Sequence, residues 1–140
     1  MGETLTLEAT SERELQAIAR YIVASYPNHK KFALFGDLGS GKTAIVKAFA
    51  AHLGIEEYID SPTFTIMNVY EAETDFVHFD LYRLEDAEEI FDLGYEEYFY
   101  GEEYVFVEWA EKLGSMLPDF FMQIWINVDP STQKRTFKIM

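Results

Sequence analysis

Residues 4–8 alternate polar and apolar side chains, the period-two pattern of a short, half-buried strand. The period then changes. Leu15, Ile18, Ala19 and Ile22 recur at helical spacing, and Ser11 with Glu14 three residues later has the spacing of a capping box. A helix is therefore predicted from Thr10 or Ser11 to the stop at Pro27 and Asn28. Residues 32–35 are short and nearly all apolar, as in a strand covered on both faces. Residues 43–53 return to helical spacing through Ile45, Val46, Phe49, Ala50 and Leu53, with Gly54 as the stop. After Ser61 and Pro62, two β-rich runs, 64–70 and 76–82, flank a turn-like 71–75 and predict an antiparallel hairpin. Residues 85–93 read as a short acidic helix closed by Gly94, and 95–101 as aromatic and irregular. Residues 104–107 are a buried-strand candidate. A turn at 117–119 precedes two final strands, 121–128 and 135–140, joined through Asp129, Pro130 and Ser131. No repeat or linker interrupts the pattern, so residues 1–140 are expected to form one domain.

Composition narrows the function classes. With 49% hydrophobic and 16% aromatic residues, the 140-residue chain has the material for a core, and a chain near this size buries roughly 70% of its unfolded surface. Eleven Lys and Arg stand against 25 Asp and Glu, a net charge of −14. Polyanions are bound chiefly by cationic side chains, so direct nucleic-acid binding is not expected. The charge is local: residues 71–111 hold 15 acids and one base, Arg83, and the rest of the chain is neutral. There is no Cys, hence no disulfide or thiolate metal site. Residues 1–10 lack a signal-peptide pattern, and no apolar run reaches the roughly 18 to 20 residues that span a bilayer, so a cytoplasmic location is expected.

Gly36-Asp37-Leu38-Gly39-Ser40-Gly41-Lys42-Thr43 fits G-x-x-x-x-G-K-[ST], with an apolar strand before it and a helix after it; these eight residues and Ala44 are the nucleotide-binding candidates. Glycines let such a loop curl until successive N–H groups face phosphate oxygens, while the helix directs its positive end at the same point. Lys42 would neutralise the β- and γ-phosphates, and the Thr43 hydroxyl would ligate Mg²⁺. The motif thus predicts a nucleoside triphosphate and Mg²⁺ as cofactors. It also predicts an α/β fold of the P-loop NTPase kind, a three-layer sandwich. Its mixed, mostly parallel central sheet would carry an antiparallel hairpin, with helices on both faces.

A metal-binding carboxylate is needed at the end of a second buried strand, and Tyr104-Val105-Phe106-Val107-Glu108 supplies one. Glu in place of the common Asp fits direct and water-mediated ligation alike. Asp80 is a second candidate. In an alternating strand His78, Asp80 and Tyr82 share a face opposite Val77, Phe79 and Leu81. That face, turned to the nucleotide, would let Asp80 hold the metal's waters or orient the attacking one; a solvated strand face reads equally well. His78 reads as a satisfied structural histidine, His29 and His52 as surface residues, and Arg83 as half of a structural ion pair.

Four segments stand in order: GDLGSGKT at 36–43, SPTFT at 61–65, HFDLYRL at 78–84 and VEWAEK at 107–112. Together they resemble the bacterial TsaE (YjeE) ATPases, which assist in making threonylcarbamoyladenosine in tRNA. The resemblance implies ATP as the nucleotide, Lys42 as the phosphate lysine, Thr43 and Glu108 as the magnesium holders and Asp80 as the carboxylate required for hydrolysis. It implies Thr63 and Thr65 as γ-phosphate sensors, and Thr10, Ser11 and Arg135 near adenine. Trp109 matches an aromatic near the family's site, with packing an equal reading. Ala44 departs from a frequent second Thr. The implied partners are TsaD and TsaB, with no direct tRNA binding, and the chain is expected as a monomer or weak homodimer. A small-molecule P-loop kinase is the alternative, disfavoured by the lack of an Arg-rich segment to clamp the transferred phosphoryl group. The acidic stretch is expected to steer docking onto a basic partner surface.

Overall fold

The computed structural model describes residues 4–37, 39–55 and 66–140; Leu38, Ser61, Pro62, Thr63 and Thr65 lie outside the described residues. Among the described residues seven strands form one sheet: β1 (Leu5–Ala9), β2 (Lys31–Phe35), β3 (Met67–Tyr70), β4 (Phe76–Asp80), β5 (Tyr104–Glu108), β6 (Met122–Val128) and β7 (Arg135–Ile139). They lie in the order β1-β7-β6-β2-β5-β4-β3. The sheet is evenly mixed rather than mostly parallel. Ladders β6–β2, β2–β5 and β5–β4 are parallel, and β1–β7, β7–β6 and β4–β3 are antiparallel. The parallel ladders sit together at the centre, where β2, β5 and most of β4 are buried on both faces, while β6 buries one face only.

Helices α1 (Glu12–Ser25) and α2 (Lys42–His52) cover one face. Leu15, Ile18, Ala19 and Ile22 are the buried stripe of α1, as their spacing predicts. Ser11 caps α1 by accepting the Glu14 N–H, but the Glu14 carboxylate reaches one residue further back, to the N–H and hydroxyl of Thr10. The capping box is therefore shared between two residues. Under α2, Phe49 sits among Phe32 and Phe106, with ring centroids 4.8 to 5.1 Å apart, and Phe76 stacks on Phe106 at 4.8 Å. Burying each ring contributes about 1.5–3 kcal/mol. This cluster sets the position of α2 on the sheet, and so of Thr43, six residues or about 9 Å up the helix.

The other face is covered by short elements: 3₁₀ turns at Ala87–Leu93 and Ala110–Met116, and α3 (Tyr95–Phe99). Asp86 caps the first with a complete capping box to Glu89, and Gly94 ends it in a left-handed conformation. Two of these differ from the expectation. Residues 95–99 form a helical turn rather than irregular chain because Phe99 is anchored between Phe79 and Phe121, at ring distances of 5.4 and 4.9 Å. The turn at Ala110–Met116 was not predicted; Ala110 and Leu113 are its only buried residues, too few to show a period. Among the described residues no helix is long and apolar enough to cross a membrane.

Candidate functional site

The loop from Gly36 to Gly41 leaves the C-terminal edge of β2 and enters α2. Its two end glycines are closely packed. A Cβ on Gly36 would stand 2.6 Å from Ser40 Oγ and 2.9 Å from the Ile126 carbonyl oxygen. Gly41 has φ near 100°, and a Cβ there would stand 3.0 Å from the Arg135 guanidinium carbon. The first glycine is needed for close approach and the second for its left-handed backbone.

Lys42 opens α2 and is only 4% exposed. Its ammonium donates back to the carbonyls of Gly36 and Asp37, the latter at 3.1 Å, and lies 3.8 Å from the Trp109 ring centroid. Burial pushes its pKa below the ordinary lysine range, against the pull of Glu108, Glu111, Asp80 and Asp37. Trp109 has left-handed φ and ψ of 58° and 41°, an uncommon conformation outside glycine. This turn follows Glu108 directly and places the indole over Lys42, with Tyr82 against it at 5.0 Å.

Thr43 and Glu108 are 65 residues apart in the chain and meet here. The Thr43 hydroxyl lies 2.8 Å from Glu108 Oε2 and 3.0 Å from Oε1, and donates to the carboxylate. Glu108, the last residue of β5, is 3% exposed and stands in register with Leu34 of β2 and Asp80 of β4. His78 is fully buried, and its Nε2 donates to Glu108 Oε2 at 2.5 Å. Parallel pairing explains the meeting. His78 stands opposite Phe106, so Glu108, two residues on, points to the same face diagonally across the ladder. Asp80 is half-buried beside Glu108, and its Oδ1 accepts the Tyr82 N–H at 3.1 Å. The carboxylates of both strands therefore end at one sheet edge, beside the loop.

Thr10, Ser11 and Arg135 come together with Gln133 around one pocket at the ends of β1 and β7, and Arg135 also touches Gly41. The hydroxyls of Thr10 and Ser11 take part in capping α1. Ala44 is half-buried and lines the groove between α1 and α2 with Thr43 and Lys47. One expectation, that His29 is a surface residue, is corrected. His29 is half-buried between β2 and β6, with Nε2 2.5 Å from the Lys31 carbonyl and 3.2 Å from the Met122 nitrogen, and burial lowers its pKa. Arg83 is exposed and makes no ion pair among the described residues. His78 is more than a satisfied core histidine, for Nδ1 is buried without a partner among the described residues. Its link to Glu108 was missed because one sequence does not give strand register. Trp109 joins packing to a place over the lysine.

The model of the family described as threonylcarbamoyl adenosine biosynthesis protein TsaE matches residues 9–137. The chain belongs to the TsaE family. It is 41% identical over 123 residues to the tRNA threonylcarbamoyladenosine biosynthesis protein TsaE of Bacillus subtilis, covering 87% of this chain and 77% of that one. It is 43% identical over 95 residues to the protein of that name from Treponema pallidum, covering 68% and 70%. The fold is similar to the crystal structure of Bacillus subtilis YdiB, with a TM-score of 0.81 at 32% identity, over 99% of this chain and 86% of that one. The likeness to YdiB thus takes in the antiparallel edges of the TsaE sheet as well as its parallel centre.

Proposed function

We propose that this TsaE chain binds Mg-ATP through residues 36–43 and hydrolyses it in support of threonylcarbamoyladenosine formation in tRNA, in the cytoplasm, acting with TsaD and TsaB. The observation that carries the reading is the convergence of Lys42, Thr43 and Glu108 at the mouth of a glycine-closed loop. The residues present fit the ligand. Gly36 leaves no room for a side chain, Gly41 holds a left-handed backbone, and Ser40 Oγ is buried with no partner among the described residues. Thr43 and Glu108 offer hard oxygens. A magnesium site of this kind takes one or two protein oxygens and completes itself with phosphate and water. Bound Mg²⁺ supplies neutralisation of phosphate charge.

The chain's own groups divide the remaining work. Loop N–H groups and the N-terminal end of α2 receive phosphate oxygens. Lys42 exchanges the Gly36 and Asp37 carbonyls for phosphate, a stronger charge-assisted partner. Trp109 keeps water off that ammonium. Asp80, in register beside Glu108, is the carboxylate positioned to orient or deprotonate the attacking water.

Lys42→Ala removes one charge-assisted contact or more, each worth about 1.5–3 kcal/mol, so ATP affinity should fall by roughly 10- to 100-fold or beyond. Unchanged affinity by calorimetry would sink the assignment of the loop. The reaction itself is tested by measuring ATP hydrolysis alone and with TsaD and TsaB added. Stimulation in the mixture is expected; phosphoryl transfer to a small metabolite instead of water would favour a kinase.

A further inference from the structure

We propose that His78 is a positioning residue for Glu108: it holds Oε2 so that the carboxylate keeps one orientation and presents Oε1, the oxygen with the lighter hydrogen-bond load, to the metal or its water. The inference rests on the Mg-ATP reading of the site.

Packing alone does not account for a histidine here. His78 is fully buried, on the sheet face it shares with Phe76 and Phe106, both buried as well. A buried imidazole loses its hydration, and only hydrogen bonds make that loss good. Its single hydrogen bond among the described residues goes to Glu108, while Nδ1 has no partner. An apolar side chain would fill this place without leaving a polar atom unmatched, so what histidine adds is the contact with Glu108.

That contact is directional. Thr43 approaches Oε2 at 2.8 Å and Oε1 at 3.0 Å from α2, and His78 approaches Oε2 at 2.5 Å from β4. Two donors from two elements fix a side chain that would otherwise rotate about its terminal bond. The Thr43 hydroxyl must also turn a lone pair toward a metal when it ligates one. During that turn, His78 remains the donor that keeps Glu108 in place. Partners of this kind orient metal ligands, and their loss typically weakens metal affinity by about 10- to 100-fold.

Two variants test the role. His78→Leu removes the donor and fills the space; His78→Gln can return an amide N–H near the Nε2 position. Each is measured by thermal melting, by calorimetric affinity for the slowly hydrolysed analogue ATPγS in EDTA, and by the Mg²⁺ concentration that half-saturates the gain in ATPγS affinity. For His78→Leu, we expect a parent-like affinity in EDTA and a Mg²⁺ midpoint raised by roughly 10- to 100-fold, with His78→Gln recovering most of the difference. A folded His78→Leu with the parent's Mg²⁺ midpoint overturns the inference, as does equal loss in a folded His78→Gln. Should His78→Leu not fold, His78→Gln decides, since it must keep the parent's midpoint. Absence of any Mg²⁺-linked ATPγS binding in the parent chain would instead overturn the Mg-ATP reading itself.

Discussion

Lys42 and Asp80 show how much of this site is held by single side chains in wait. Lys42 is folded onto the carbonyls of its own loop and under an indole, so its charge is matched within the protein. Asp80 stands one strand from Glu108 at the same edge, yet the two have different surroundings: Glu108 is buried and bonded to Thr43 and His78, whereas Asp80 is half-buried and accepts a backbone N–H. A buried, doubly bonded carboxylate suits a fixed metal contact; a more open one suits a group that handles water. Asp80→Ala should therefore retain ATPγS affinity while turnover in a reconstituted tRNA-modifying mixture falls by roughly 10²- to 10⁴-fold. Full turnover there would remove Asp80 from the mechanism. Thr63 and Thr65 lie outside the described residues, and their part as phosphate sensors stays a proposal from the family resemblance.

At the scale of elements, α1 and α2 do different work on the same sheet face. The start of α1 is defined by Ser11 and by the Glu14 carboxylate, which Thr10 holds below the usual glutamate pKa range. Ser11→Ala should cost about 1 kcal/mol, a fall of about 3 °C in melting temperature for a domain of this size. A melting curve that does not move would show that packing against α2, not the cap, sets the start of α1. The beginning of α2 is set differently, by Gly41 in a left-handed conformation with no side-chain cap, which leaves its first N–H groups without a side-chain acceptor from the capping position. Both helices, the hairpin and the buried strands were legible because their apolar residues repeat over several turns or pleats. The helical turn Tyr95–Phe99 and the 3₁₀ turn Ala110–Met116 were not, because each is too short for a period to emerge and is fixed by rings and strands far away in sequence.

Across the whole molecule, charge follows the layers of the fold. The acidic segment 71–111 supplies the short elements on one face of the sheet, where Glu88, Glu89, Glu96 and Glu97 are all exposed, whereas α1 and α2 cover the opposite face. Phe91 and Tyr100 are exposed amid these carboxylates at 51% and 64%. Neutralising Glu88, Glu89, Glu96 and Glu97 together should slow association with TsaD and TsaB by about tenfold at low salt, with the difference closing as salt screens it. An on-rate that ignores both charge and salt would leave this face a role in solubility alone. By itself the sequence determined the loop, its lysine and threonine, the helical and strand periods around them, and the place of the acidic charge, because each is written in neighbouring residues. Only the tertiary structure decided that the sheet is evenly mixed, that His78 meets Glu108 and that Trp109 covers Lys42. Those facts depend on strand order, register and a left-handed turn, which bring together residues from 30 to nearly 70 positions apart.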